Sequence, residues 1–242
     1  MPASLPRILG PETLDHLAPE DPAARRSRRD LRRVNRVMSA RAILARGLGR
    51  VAHEDRRAPL RILEIGCGDA LLMLDVARRG AAAFNGAQLT LLDRQPLVGA
   101  ETIAAYAEAG WRAETLVTDV LVWADEAATA ARWDVVVANL FLHHFEGSAL
   151  ARLLGGCERR ADALVACEPR RSRFALVASH LVAFLGANAV TREDAVLSVR
   201  AGFVGRELSG AWPGAASAWE LDEYDDGLFT HCFCASRKGA ER

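Results

Sequence analysis

Short apolar runs alternate with alanine- and leucine-rich stretches along most of this chain. LRILEIG (60–66), QLTLLD (88–93), AETLVTD (113–119), WDVVVAN (133–139) and ADALVACEP (161–169) are β-favouring and largely apolar, and each closes near a polar or acidic residue. Residues 70–79, 96–109 and 147–160 between them carry helical patterning. Strands alternating with helices predict a parallel sheet wound on both faces. Such sheets bind ligands beyond the carboxyl ends of their strands, so the polar strand ends are where chemistry is expected.

The flanks read differently. Residues 1–21 are rich in proline and acid and predict an irregular lead-in, whereas 22–51 carry an apolar stripe (Leu31, Val34, Val37/Met38, Leu44, Leu48, Val51) at helical spacing. HEDRRAP (53–59) reads as a linker. This divides the chain into an N-terminal helical extension (1–57), expected to cap the site, and an α/β domain (58–242). SRFALVASHLVAFLG (172–186) is apolar on nearly every side and, with Trp212 and the N-terminal helix, is expected to wall a pocket. Thr191 with Asp194 suggests a capped helix start running to about Gly202. Residues 217–236, turning at Asp225-Asp226-Gly227, predict a closing antiparallel hairpin that brings the sheet to seven strands.

Composition narrows the options. The 242 residues are 50% hydrophobic and 26% charged, with 31 basic and 31 acidic side chains, so no strong overall field recruits nucleic acid. RRSRRDLRRVNR (25–36) could still be an RNA-binding arm, but a solvated face paired with acids elsewhere fits the zero net charge better. Lys238 is the sole lysine, which points to a GC-rich, bacterial genome rather than to chemistry. Five cysteines without CxxC spacing read as buried thiols in a reducing compartment. There is no signal-peptide core and no run long enough to span a bilayer, so a cytoplasmic protein is expected.

LEIGCGDA (63–70) sits where the first strand meets the first helix of the α/β region. Gly66 and Gly68 allow a sharp turn and close ligand approach, but position 71 is Leu where a dinucleotide fingerprint wants a third glycine. The missing glycine argues against a pyrophosphate and suits a nucleoside cofactor without phosphates. This stretch resembles the first motif of the class I S-adenosylmethionine-dependent methyltransferases, and later strand ends fall where that family has its motifs. The resemblance covers about 58–237 and implies a Rossmann-like methyltransferase fold with S-adenosyl-L-methionine as cofactor. It implies that Glu64, Gly66 and Gly68 line the methionine moiety. Asp93, with Arg94 beside it, is similar to the acid that grips the ribose hydroxyls. Asp119 and Val120 resemble the residues that meet the adenine, and Asn139 and Leu140 those nearest the transferable methyl.

ANLFLHHF (138–145) follows the fourth strand and sets His143 beside His144. A phenolic or enolic acceptor must lose a proton, and an imidazole with an ordinary pKa near about 6.5 could take it, which makes both histidines candidate catalytic bases. Packing at the strand end is the plainer alternative. No metal is expected, because adjacent histidines do not easily converge on one ion and no carboxylate or third histidine stands at ligand spacing. NLFL also departs from the Asn/Asp-Pro-Pro-aromatic loop of methylases acting on nucleic-acid bases. RRSRRDLRRVNRVM and the segment 168–203 look like methyltransferases that accompany type III polyketide synthases. That narrower resemblance implies O-methylation of a small, fairly hydrophobic, phenolic or quinone-like acceptor. C-methylation of a similar ring and an RNA-associated role for the arginine helix are the alternatives.

Overall fold

The computed structural model describes residues 5–51, 59–79, 84–126 and 131–239. All of the expected linker except Pro59 lies outside the described residues. Strands β1 (Arg61–Ile65), β2 (Gln88–Asp93), β3 (Arg112–Val117), β4 (Trp133–Asn139), β5 (Ala161–Pro169), β6 (Trp219–Asp226) and β7 (Thr230–Arg237) make one sheet. Its order is β3-β2-β1-β4-β5-β7-β6. Pairing is parallel from β3 to β5, and β7 inserts antiparallel between β5 and β6 as the expected hairpin. The direction of winding reverses between β1 and β4, and the strand ends there frame the site.

Alternation along the central strands splits the core into two layers. Val135, Val137 and Val165 face one side, Val136, Ala138 and Leu164 the other. Helix α1 (Pro22–Val37) lies apart from the first layer, which α2 (Ala40–Val51), α3 (Leu71–Arg79) and α4 (Ala100–Glu108) cover with Leu44, Leu48, Met73 and Tyr106. Helices α5 (Val120–Asp125) and α6 (Gly147–Arg160) cover the second with Trp123, Leu153 and Leu154. Each such buried side chain contributes about 1.5–3 kcal/mol. All five cysteines are free and buried. Among the described residues no helix is long and apolar enough to cross a membrane.

The helical stretch 22–51 is two helices rather than one, broken where Ser39 adopts φ +56°. The break frees α1 from the sheet while α2 joins the core, with Gly47 so close that a Cβ there would lie 2.7 Å from Val165. Helix α5 was not foreseen. Asp119 starts it by accepting the Leu121 N–H at 2.7 Å. The apolar segment 172–186 forms α7 (Arg173–His180) and a 3-10 turn (Leu181–Leu185) and contributes no residue to the cavity at the strand ends: Phe174 is 57% and Phe184 86% exposed. Helix α8 (Ala189–Ala201) starts two residues before Thr191, because the Asn188 side chain accepts the Thr191 N–H at 2.8 Å. Asp194 accepts the backbone N–H groups of Thr13 and Leu14 at 2.8 and 3.0 Å, which pins the lead-in segment. Trp212, just after the short α9 (Glu207–Ala211), does not line that cavity either. It is buried against Trp219 and Phe233.

Candidate active site

The loop leaving β1 turns through two left-handed glycines, Gly66 (φ +67°) and Gly68 (φ +56°). Only glycine fits at position 66, since a Cβ would lie 2.1 Å from the Phe141 ring. The loop is stapled to the end of β2: Asp93 accepts the Gly68 N–H through one oxygen and the Gln95 N–H through the other, both at 2.9 Å. Each carboxylate oxygen keeps a second lone pair for a ligand hydroxyl. After β4, Leu140 stands in the left-handed region (φ +52°) with its N–H donated to Cys167 O at 2.9 Å, which turns the chain across the cavity.

These strand ends enclose a cavity of about 710 Å³. Glu64, Gly66, Gly68, Asp93, Arg94, Asp119, Val120, Asn139 and Leu140 all line it, so the structure brings together every residue expected at a cofactor. Leu14 from the lead-in and Leu31 and Asn35 from α1 form part of the opposite wall. Arg94 reaches across to Asp15 at 3.8 Å. Two of the seven arginines of α1 engage acids nearby, Arg32 with Asp69 at 3.9 Å and Arg33 with Asp30.

Glu64 gives the cavity its electrostatic character. Burial, reinforced by Asp69 and Asp93, pushes its carboxyl up to about 8. Its Oε2 is buried and has no hydrogen-bond partner among the described residues. A buried carboxyl without a partner is costly alone and suits a cationic ligand, as the sulfonium and ammonium of S-adenosylmethionine are.

The two histidines have different surroundings. His143 is buried, and its Nδ1 lies 2.7 Å from Glu168 Oε2 and its Nε2 3.3 Å from Glu12 Oε1. Burial lowers the proton affinity of this ring, but the two carboxylates outweigh it and bring its pKa up to about 9. His144 lines the cavity, whereas His143 lies behind it. Its Nδ1 donates to Phe141 O at 3.0 Å, and its Nε2 stands 3.3 Å from Glu12 Oε2 without hydrogen-bond geometry. The same pair of histidines holds Glu12 well below the usual carboxylate range, against the opposing effect of burial. Adjacent histidines therefore do converge, on a carboxylate 131 residues from His143 in sequence. Sequence reasoning missed Glu12 and Glu168. Glu12 gave no local signal, while Glu168 stood in view as the acid near the end of the fifth strand.

Residues 62–162 match the family model described as "Methyltransferase domain". No curated protein matches the chain in sequence. Among solved structures, the plantazolicin methyltransferase BpumL with S-adenosylhomocysteine (SAH) superposes with a TM-score of 0.63 at 14% identity, over 90% of this chain and 92% of that one. Plantazolicin methyltransferase BamL, with a desmethylplantazolicin analogue and SAH, gives 0.61 at 12% identity and 94% of each chain. An O-methyltransferase family protein from Burkholderia thailandensis gives 0.58 at 18% identity, over 86% of this chain and 57% of its own. The chain thus has the Rossmann-like methyltransferase fold, with a methyltransferase-domain match over residues 62–162.

Proposed function

We propose that this protein transfers a methyl group from S-adenosylmethionine to the oxygen of a small, fairly hydrophobic, phenolic or quinone-like acceptor, polyketide products among them. The observation that carries the reading is the convergence of all nine expected cofactor residues on one cavity, with the orphaned Glu64 carboxyl in its lining. The bound cofactor supplies a sulfonium methyl; the new O–C bond forms as the S–C bond breaks, leaving neutral SAH. In this reading Asp93 holds the ribose, Asp119 and Val120 meet the adenine, and Glu64 offsets the cationic end. Leu14, Leu31, Leu140, Phe141 and Phe145 supply the apolar lining that suits an aromatic acceptor and keeps water away from the reacting atoms. Lead-in and α1 act as the cap. Activation of the acceptor falls to His143, His144 and Glu12, the ionisable cluster on that side of the cavity. The zero net charge, with Arg32 and Arg33 already paired to acids, weighs against an RNA arm.

The test is a mass-spectrometric screen of phenols, quinones and alkylresorcinols with purified protein and S-adenosylmethionine. A gain of one methyl group on oxygen is expected with at least one of them. No gain with any member of the panel, or a product methylated on carbon, overturns the assignment.

Glu64 makes a second expectation specific. Its folded-state pKa is raised, so the native state holds this proton more tightly than the unfolded chain. The associated stability is full in the ordinary carboxylate range and below, and is lost as pH rises through about 8. A cationic ligand favours the ionised form, so binding S-adenosylmethionine releases the proton. Affinity should rise with pH below about 8, by up to about tenfold per unit, and then level off. Calorimetry on the wild type and Glu64→Gln across this range checks it: the slope should vanish in the variant, and identical profiles exclude the role.

A further inference from the structure

We infer that Glu12, His143 and His144 form a binding site for a borderline divalent transition-metal ion such as Zn²⁺. Among the described residues these three bring one ligand atom each to within 4.8 Å of one another.

The starting point is how the two rings are turned. Glu168 Oε2 faces His143 Nδ1 at 2.7 Å, and the Phe141 carbonyl faces His144 Nδ1 at 3.0 Å. With an acceptor on each Nδ1, each ring turns its Nε2 inward toward Glu12. Both Nε2 atoms meet the Glu12 carboxylate at 3.3 Å. His143 Nε2 shares a hydrogen bond with Glu12 Oε1, whose place an ion would take. The His144 Nε2 is buried and has no hydrogen-bond partner among the described residues, so no hydrogen bond explains its position.

The spacing fits an ion. Ligands held at about 2.0–2.1 Å in a tetrahedron stand about 3.3–3.4 Å apart. His143 Nε2 lies 3.3 Å from Glu12 Oε1 and His144 Nε2 3.3 Å from Oε2, so the carboxylate meets each ring through a different oxygen at that spacing. A second shell is also in place. Glu168 and the Phe141 carbonyl orient the two rings as carboxylates and carbonyls orient metal-bound histidines. Two imidazoles with one carboxylate suit a zinc-class ion rather than magnesium or calcium, which take all-oxygen sites. Glu12 and His144 line the cavity, so the ion would stand at its edge. There it would tie the lead-in segment to the loop after β4.

This deepens the proposed function and rests on it only for the consequence to catalysis. A divalent charge beside the acceptor lowers the pKa of its hydroxyl. The proton then leaves to solvent, the oxygen keeps the electron pair that forms the new O–C bond, and no imidazole need stay free as a base.

The full chain, stripped with chelator, is titrated with Co²⁺ and with Zn²⁺, following visible d–d absorption and calorimetric heat. One equivalent should bind, with the intense visible bands of a low-coordinate nitrogen–oxygen site. Glu12→Gln and His144→Ala should each weaken binding by at least about tenfold. S-adenosylmethionine binding, measured on the same variants, reports whether they remain folded. Failure of the wild type to take up either metal overturns the site, as does affinity unchanged in both folded variants. Metal uptake without S-adenosylmethionine binding would instead overturn the functional reading and leave the metal site standing.

Discussion

Asp93→Ala should bind S-adenosylmethionine at least about a hundredfold more weakly than the wild type. Two hydrogen bonds to an ionised acceptor are together worth about 3–6 kcal/mol, so this is the lower end of the expected range. Asp93 acts twice over. Its oxygens already accept the Gly68 and Gln95 N–H groups, which fixes the glycine loop against the end of β2. Their remaining lone pairs lie in the cavity lining, free for two vicinal hydroxyls. Since Asp93 is only half-buried, water can replace it on the backbone N–H groups, and stability should fall by only about 1 kcal/mol. The loss therefore belongs to binding. Asp93→Asn, which keeps one acceptor oxygen, should lie between the two. Calorimetric titration reads the affinity and thermal melts of the free proteins read the stability. Affinity unchanged in Asp93→Ala would remove the ribose role.

The sequence made the scaffold of this site legible for a physical reason. Strand position depends on short-range alternation and turn chemistry, and β2, β4 and β5 have the bounds, or nearly the bounds, that their apolar runs suggest. Glu64, Gly66, Gly68, Asp93, Asp119 and Asn139 are at or next to strand ends, so a parallel sheet brings them to one edge. What stayed hidden depends on distance or on solvent. The kink at Ser39 has no glycine or proline to announce it. Residues 172–186 are as apolar as a pocket wall, and it is the packing of α7 and the 3-10 turn on α8 that leaves Phe174 and Phe184 facing outward. Glu12 reaches the histidines because Asp194 holds Thr13 and Leu14 on α8, a contact across about three-quarters of the chain. The histidine pair was visible, but its environment was not, and the environment decides which ring faces the cavity.

Glu168→Ala should cost the fold about 3–5 kcal/mol, as expected when a buried charged partner is removed from its donors. Glu168 is fully buried near the end of β5 and accepts the N–H groups of Phe141 (3.1 Å), Leu142 (2.8 Å) and His143 (3.3 Å) as well as His143 Nδ1. A single carboxylate thus satisfies the backbone of a 3-10 turn, Leu142–His144, that follows a residue in the left-handed region. Alanine would leave these three N–H groups and His143 Nδ1 without their acceptor. Glu168→Gln keeps one acceptor oxygen but points an amide N–H₂ at donors, so it should lose about 1–3 kcal/mol. Against a total stability of about 5–15 kcal/mol, the alanine variant should show a large shift in its urea midpoint. The effect should also reach the cofactor end, although Glu168 does not line the cavity. The turn carries Phe141, whose ring packs where a Cβ of Gly66 would be, so loosening it also removes support from the glycine loop. S-adenosylmethionine affinity should therefore fall in Glu168→Ala under conditions where the protein is still folded. Urea midpoints for both variants within about 0.5 kcal/mol of wild type would mean that the loop after β4 holds its shape without this carboxylate.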